Sequence, residues 1–180
     1  TDTKYQEYKN KVKEDINRVR DKVDLLIVAM HWGVEYTHTP TSYQIDMANF
    51  LEKQGVDIII GTHPHVVMPI TYINDTLVIY SLGNFLSAQE TNIDYNTTVG
   101  LLSTVKITKH IDKDNNTSIK LSNQTNELIY TYSKNNKDYK VKIAGIYKLY
   151  FRHYMYRKLW LRSTGNIGFF YFIYFVFKCI

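Results

Sequence analysis

The chain has 180 residues, of which 44 % are hydrophobic and 22 % charged, with a net charge of +5. This length and balance suit a folded domain with its own core, and the single cysteine, Cys179, excludes an internal disulfide framework or a cysteine-rich zinc site. The charge is uneven, because residues 23–105 carry a net −7 and residues 106–180 a net +10. An acidic central region suits a bound cation and argues against nucleic acid as a partner, since phosphate backbones require a basic surface.

The first third of the chain alternates helical and strand patterns. Residues 4–22 repeat apolar side chains at intervals of three and four, which predicts a helix. The apolar run that ends at Met30 predicts a buried strand, and residues 56–60 predict a second one. Between them, hydroxyls in residues 39–42 offer caps for a helix that ends near Gly55. The order helix, strand, helix, strand favours an α/β fold with parallel neighbouring strands.

Shorter β-rich segments follow. Residues 66–73 and 76–80 are separated by Asn74-Asp75, which predicts a hairpin. A further strand is predicted over residues 100–108 and one or two more within residues 119–132, with a polar turn over residues 112–117 between them. Residues 1–132 are therefore predicted to form one domain, and the polar residues that follow predict a linker over residues 133–146.

The end of the chain has a different composition. Residues 147–162 are aromatic and basic, and residues 169–177 are nine consecutive apolar or aromatic residues. Nine residues are too few to span a bilayer, which takes roughly 20, so they could lie in a membrane interface or begin a longer spanning helix. The alternative for residues 147–162 is a helix whose aromatic face packs on the sheet. We treat residues 147–180 as a tail and a membrane surface as a candidate partner.

Histidines follow both buried strands. His31 comes directly after the first, and the sequence Gly61-Thr62-His63-Pro64-His65 closes the second. Because the carboxyl ends of parallel strands meet at one edge of a sheet, we expect the three imidazoles to face the same space. Pro64 is expected to bias His63 toward an extended backbone. Imidazole is a common ligand of zinc, manganese and iron, so the pattern predicts a metal site. The alternative for His31 is a core histidine bonded to a backbone carbonyl.

Other polar residues are candidates on weaker grounds. Glu35 follows His31 by four residues and is either a carboxylate near the metal or substrate, or an ordinary solvated acid. Asn84 either donates its amide to a bound anion or satisfies its own turn. The remaining histidines lie in polar or basic contexts and are interpreted as surface residues: His38, His110 and His153.

Three blocks of sequence together resemble a known family. They are His31-Trp32-Gly33-Val34-Glu35-Tyr36, Gly61-Thr62-His63-Pro64-His65-Val66 and Tyr80-Ser81-Leu82-Gly83-Asn84-Phe85. In this order they look like signatures of the bacterial capsule-synthesis family (CapA or poly-γ-glutamate type), which is similar to the calcineurin-like metallophosphoesterases. The resemblance implies an α/β fold that is part of a four-layer α/β/β/α metallophosphoesterase-like sandwich. It also implies that His31, His63 and His65 are metal ligands, with two divalent ions (Mn, Fe or Zn) in the complete protein.

The superfamily takes its other ligands from an upstream half, with an aspartate, a second acidic position and an Asn-His pair that this chain does not contain. The resemblance therefore implies the C-terminal half of such a domain over residues 1–132, with a missing N-terminal half as a partner. The implied function is capsule (poly-γ-glutamate) synthesis by a metal-dependent hydrolase, with Glu35 and Asn84 as catalytic candidates. Its substrate would be an anionic polymer or a phosphoester at the bacterial cell membrane or cell surface. The alternative is a non-catalytic, membrane-associated component of capsule assembly.

Overall fold

A computed structural model describes residues 2–87, 95–134 and 138–143. Two short 3₁₀ turns, Arg20–Lys22 and Tyr95–Thr98, accompany the longer elements. The helices and strands are α1 (Asp2–Val19), β1 (Ile27–His31), α2 (Ser42–Lys53), β2 (Ile58–Thr62), β3 (Ile70–Ile73), β4 (Thr76–Ile79), β5 (Val99–Ile111), β6 (Thr117–Lys134) and β7 (Asp138–Ile143). The predicted α/β class is confirmed.

The site is positioned by a four-stranded sheet in the order β1-β2-β4-β3. Strand β2 runs parallel to both β1 and β4, so these three strands end at the same edge. Strand β3 pairs antiparallel with β4 through the predicted two-residue turn. Asn74 opens that turn with a φ of 49°, a left-handed conformation that asparagine tolerates better than most residues.

Helices α1 and α2 cover one face of this sheet. Met47 and Leu51 of α2 pack in one buried cluster with Ile59 and Val78 of the sheet, and Ile16 of α1 joins them. Helix α2 begins with a capping box, because the Thr41 hydroxyl accepts from the Gln44 backbone N–H while the Gln44 side chain accepts in return from Thr41 N. The predicted capping hydroxyl is thus confirmed.

A long antiparallel ribbon of β5 and β6 covers the opposite face. Its Val105 and Leu121 pack against a second buried cluster that includes Ile58, Ile60 and Leu77 of the sheet. The residues described therefore form three layers: helices, the mixed sheet and the ribbon. A fourth layer, as in the metallophosphoesterase-like sandwich, stays a prediction.

Strand β7 lies within residues 133–146, where a linker was predicted. It pairs antiparallel with β6, for example Thr131 with Val141. The expectation of a loop was wrong for residues 138–143, because a polar sequence that alternates with apolar residues pairs readily with a neighbouring strand. Of the one or two strands predicted over residues 119–132, the structure shows one, which is part of β6. The division into domain, linker and tail stays a prediction, and residues 147–180 lie outside the described residues.

Candidate metal centre at the sheet edge

The parallel pairing of β1 and β2 brings two histidines together. Met30 is paired with Gly61 and His31 with Thr62, and the Trp32 N–H donates to the Thr62 carbonyl at 3.2 Å just beyond the strands. The centroids of the His31 and His63 rings are consequently 4.5 Å apart. The expectation that these strand ends bring their histidines to the same space is confirmed.

The loop after β2 turns sharply at both histidines. His63 has a φ of 97° and His65 a φ of 58°, on either side of Pro64. The expected extended backbone at His63 was therefore wrong. The preference imposed by a following proline is local, whereas the Pro64 carbonyl here accepts a 2.9 Å hydrogen bond from Tyr36 N that holds the loop against the β1 end. Two left-handed residues in three are costly, and such strain concentrates at functional sites.

This loop places a third donor beside the two imidazoles. Glu35, His63 and His65 each offer a ligand atom, and the three atoms lie within 4.8 Å of one another. The Glu35 Oε1 atom is 3.7 Å from His65 Nε2. Glu35 is about half exposed, at 48 %, so the cluster opens to solvent on the side of the carboxylate.

These residues have the right chemistry and nearly the right spacing for one divalent cation. With bonds of about 2.1 Å, two ligand atoms at tetrahedral angles lie about 3.4 Å apart. The ligand atoms of this cluster lie within 4.8 Å of one another, so the cluster would close around an ion if its most distant ligand atoms approached each other by about 1 Å. Two imidazoles and one carboxylate are a borderline donor set that suits zinc, manganese or iron. His31 is not part of this three-residue cluster, although its ring lies beside that of His63.

Asn84, from the third sequence block, contacts the cluster through His65. Its Oδ1 lies 3.0 Å from His65 Nδ1, and its Nδ2 donates to the Thr97 carbonyl at 2.9 Å. The structure thus brings all five predicted site residues to one region. Their roles as ligands or catalytic groups stay predictions.

Two aromatic residues that were not singled out support the site. Tyr36 stacks on His65, with ring centroids 6.2 Å apart. The buried Trp32 stacks on Tyr80, and its indole N–H donates to the Tyr80 carbonyl at 2.8 Å. Gly61 passes directly beside this hydrogen bond. Both Trp32 and Tyr36 lie in the first sequence block, and their position in that block was the sequence signal that could have identified them.

The interpretation of the other histidines needs one correction. His38 is half-buried and not a surface residue: its Nδ1 lies 2.8 Å from the Val67 carbonyl, and its Nε2 is buried without a partner among the described residues. The polar sequence around His38 suggested exposure, but the loop that follows β1 packs against the loop that follows β2, at Val67. His110 is exposed on β5, as expected, and His153 lies outside the described residues.

Comparison with known proteins identifies the first half of the chain. Residues 1–89 match the model of a family described as bacterial capsule synthesis protein PGA_cap. This part of the chain belongs to that family. The resemblance predicted from the three sequence blocks is therefore confirmed, and all five candidate site residues lie within the matched range.

Two curated relatives agree with this family. The chain is 42 % identical over 74 residues to the PGA biosynthesis protein CapA of Bacillus subtilis (strain 168), a match that covers 41 % of this chain and 20 % of the relative. It is 36 % identical over 80 residues to the capsule biosynthesis protein CapA of Bacillus anthracis, covering 42 % of this chain and 20 % of the relative. The chain thus matches about one fifth of the length of these two relatives.

Proposed function

We propose that this member of the capsule synthesis family binds a divalent cation through Glu35, His63 and His65. The observation that supports the proposal is the convergence of their three ligand atoms within 4.8 Å. His31 lies beside His63 and would contribute to the same centre or to a second ion. Zinc, manganese and iron are the candidate ions, since nitrogen and oxygen donors of this kind bind all three.

For the complete protein we propose metal-dependent hydrolysis during capsule synthesis. A bound divalent cation acts as a Lewis acid toward a phosphoryl or carbonyl oxygen. Glu35 is the exposed member of the cluster, and the carboxylate oxygen that does not bind the cation would accept a proton there, while the stiff loop around Pro64 holds both imidazoles in place. The names of the two relatives support a role at the cell envelope, and an anionic polymer or a phosphoester is the substrate class we propose.

Metal content tests the binding proposal. The purified chain is dialysed against zinc or manganese, freed of excess ion and measured by elemental analysis. We expect His63→Ala and His65→Ala to lose most of the bound metal, because each removes one of three donors. His110→Ala is the matched control, since this histidine is exposed on β5 and outside the cluster. Equal metal content in all four proteins would overturn the proposal.

Turnover tests the hydrolytic proposal separately. With a generic phosphodiester and manganese, we expect this chain to be slow or inactive, because the described cluster offers donors for one ion and two-metal catalysis requires a second clamp. Addition of an upstream half of the kind that the metallophosphoesterase resemblance implies is expected to raise the rate. Manganese-dependent turnover by the chain alone that disappears in His63→Ala would show that the single cluster suffices.

The second candidate function is a membrane-associated component of capsule assembly that does not catalyse a reaction. The apolar run 169–177 after the basic, aromatic residues 147–162 favours it, because cationic and aromatic side chains bind the headgroup region. Among the residues described, no helix is long and apolar enough to cross a membrane. Co-sedimentation with anionic vesicles should be stronger for the full chain than for a protein that ends at Ser163. Absence of binding by either would remove this candidate.

A further inference from the structure

We propose that Asn84 is a positioning residue that holds neutral His65 in the tautomer protonated on Nδ1, and so presents Nε2 to a cation. The inference deepens the proposed metal-binding function and rests on it for the cation. It assigns Asn84 a role different from donating its amide to a bound anion. Three consecutive groups fix this tautomer, because each presents to the next an atom that either donates a hydrogen bond or can only accept one.

The first group is the Thr97 carbonyl, which can only accept. Because Asn84 Nδ2 lies 2.9 Å from this oxygen, the amide nitrogen must be the atom that faces it. If the amide were rotated by half a turn, two acceptor oxygens would meet at the same distance. The Thr97 carbonyl therefore determines which way the Asn84 amide points, a choice that side-chain shape alone leaves open.

The second group is the amide oxygen of Asn84, which now faces His65. This oxygen can only accept, and it lies 3.0 Å from His65 Nδ1. Nδ1 must consequently carry the proton of that hydrogen bond. A neutral imidazole has one N–H, so Nε2 is left with its lone pair.

The third group is His65 Nε2, which faces a carboxylate. Glu35 Oε1 is 3.7 Å away, and both atoms are acceptors when the histidine is neutral. Two acceptors at this separation repel unless a positive charge lies between them. The spacing is within the range for two ligands of one ion, at bond lengths of about 2.1 Å. The tautomer and the cation therefore favour each other.

The backbone holds Asn84 firmly enough for this role. Gly83 and Gly100 form an isolated β-bridge, which joins the loop to the start of β5. A Cβ on Gly100 would lie 2.2 Å from the Asn84 carbonyl oxygen, so the two segments are in direct backbone contact. Thr97 is fully buried just before β5. A residue beyond the part of the chain matched to the family, residues 1–89, thus orients a histidine within it.

Nitrogen NMR of the histidine rings tests the tautomer directly in metal-free protein. At a pH well above the usual histidine pKa of about 6.5, we expect wild-type His65 to show a protonated Nδ1 and an unprotonated Nε2. Asn84→Ala should shift His65 toward the Nε2–H tautomer that free imidazole side chains prefer. Asn49→Ala is the matched control and should change nothing, because the only hydrogen bond of the Asn49 amide among the described residues is an exposed one to the Ile45 carbonyl within α2.

Zinc affinity provides the second readout. We expect Asn84→Ala to bind zinc roughly 10–100-fold more weakly than wild type, as is typical when a partner of a histidine ligand is removed. A wild-type His65 protonated on Nε2 would overturn the inference even if Asn84→Ala failed to fold, and so would wild-type zinc affinity in a folded Asn84→Ala protein. If wild-type protein shows the expected tautomer but binds no zinc, the proposed function fails, and with it the assignment of Nε2 to a cation.

Discussion

Substitution of Gly61 by alanine would test how tightly the end of β2 is packed beneath the candidate metal centre. A Cβ at this position would lie 2.1 Å from the Tyr80 carbonyl oxygen and 2.3 Å from Trp32 Nε1. These two atoms are themselves joined by a buried hydrogen bond of 2.8 Å. The added methyl group would therefore collide with both partners and separate them.

The expected loss of stability follows from three contributions. Leaving the buried indole N–H and carbonyl unpaired costs about 1–3 kcal/mol. Inserting a methyl group into a packed region costs a further 1–3 kcal/mol or so, while alanine stabilises by about 0.4–1 kcal/mol because its unfolded chain has less freedom than glycine's. We expect a net decrease of about 2–4 kcal/mol in the free energy of unfolding, or roughly 5–15 °C in Tm.

Urea denaturation followed by tryptophan fluorescence measures this loss. Gly55→Ala is the matched control: its Cβ would lie 3.5 Å from the nearest heavy atom, Arg20 Cδ, and its φ of 80° adds only backbone strain. We expect the control to lose about 1 kcal/mol. If Gly61→Ala were no less stable than Gly55→Ala, the close approach of β2 to Trp32 and Tyr80 would be wrong.

Three further predictions concern the loop, the helix interface and the α2 cap. At His65, where φ is 58°, we expect His65→Gly to be more stable than His65→Ala by about 1 kcal/mol in urea denaturation; the reverse order would contradict the left-handed backbone. Burial, and then the hydrogen bond to Asp46, raises the pKa of Tyr5 above its ordinary value of 10.0. The protonated Tyr5 hydroxyl therefore stabilises the folded protein below pH 10, and this stabilisation is lost as the pH rises further. The stability of Tyr5→Phe should fall less between pH 9 and 11 than that of wild type, and parallel curves would refute this. Thr41→Ala should cost about 1 kcal/mol in the same assay, whereas Thr39→Ala, outside the capping box, should cost less.

Local sequence was sufficient to predict the elements whose apolar periodicity agrees with the cap or turn residues at their ends. Helix α1, helix α2 with its Thr41 cap, and the hairpin turn at Asn74 each depend on neighbours within a few residues. The burial of β2 on both faces was evident from its unbroken apolar run, and that run in turn predicted parallel neighbours. The convergence of His31 and His63 followed from the same reasoning, since parallel strands end at one edge.

Tertiary contacts determined what the local pattern misjudged. Pro64 alone favours an extended His63, yet the hydrogen bond from Tyr36 to the Pro64 carbonyl holds a left-handed loop instead. Residues 138–143 were predicted as part of a linker, but pairing with β6 satisfies the backbone groups that face that strand.

The candidate site shows the same division. Sequence order and residue type alone selected His31, Glu35, His63, His65 and Asn84. Which atoms face one another depended on residues far apart in the chain, because the Thr97 carbonyl orients Asn84 from 13 positions away and Asn84 orients His65 from 19. Residue identity therefore determined the chemistry that this edge of the sheet can offer. Only the folded backbone decided the direction of each donor and acceptor, because hydrogen-bond direction depends on three-dimensional placement and not on sequence spacing.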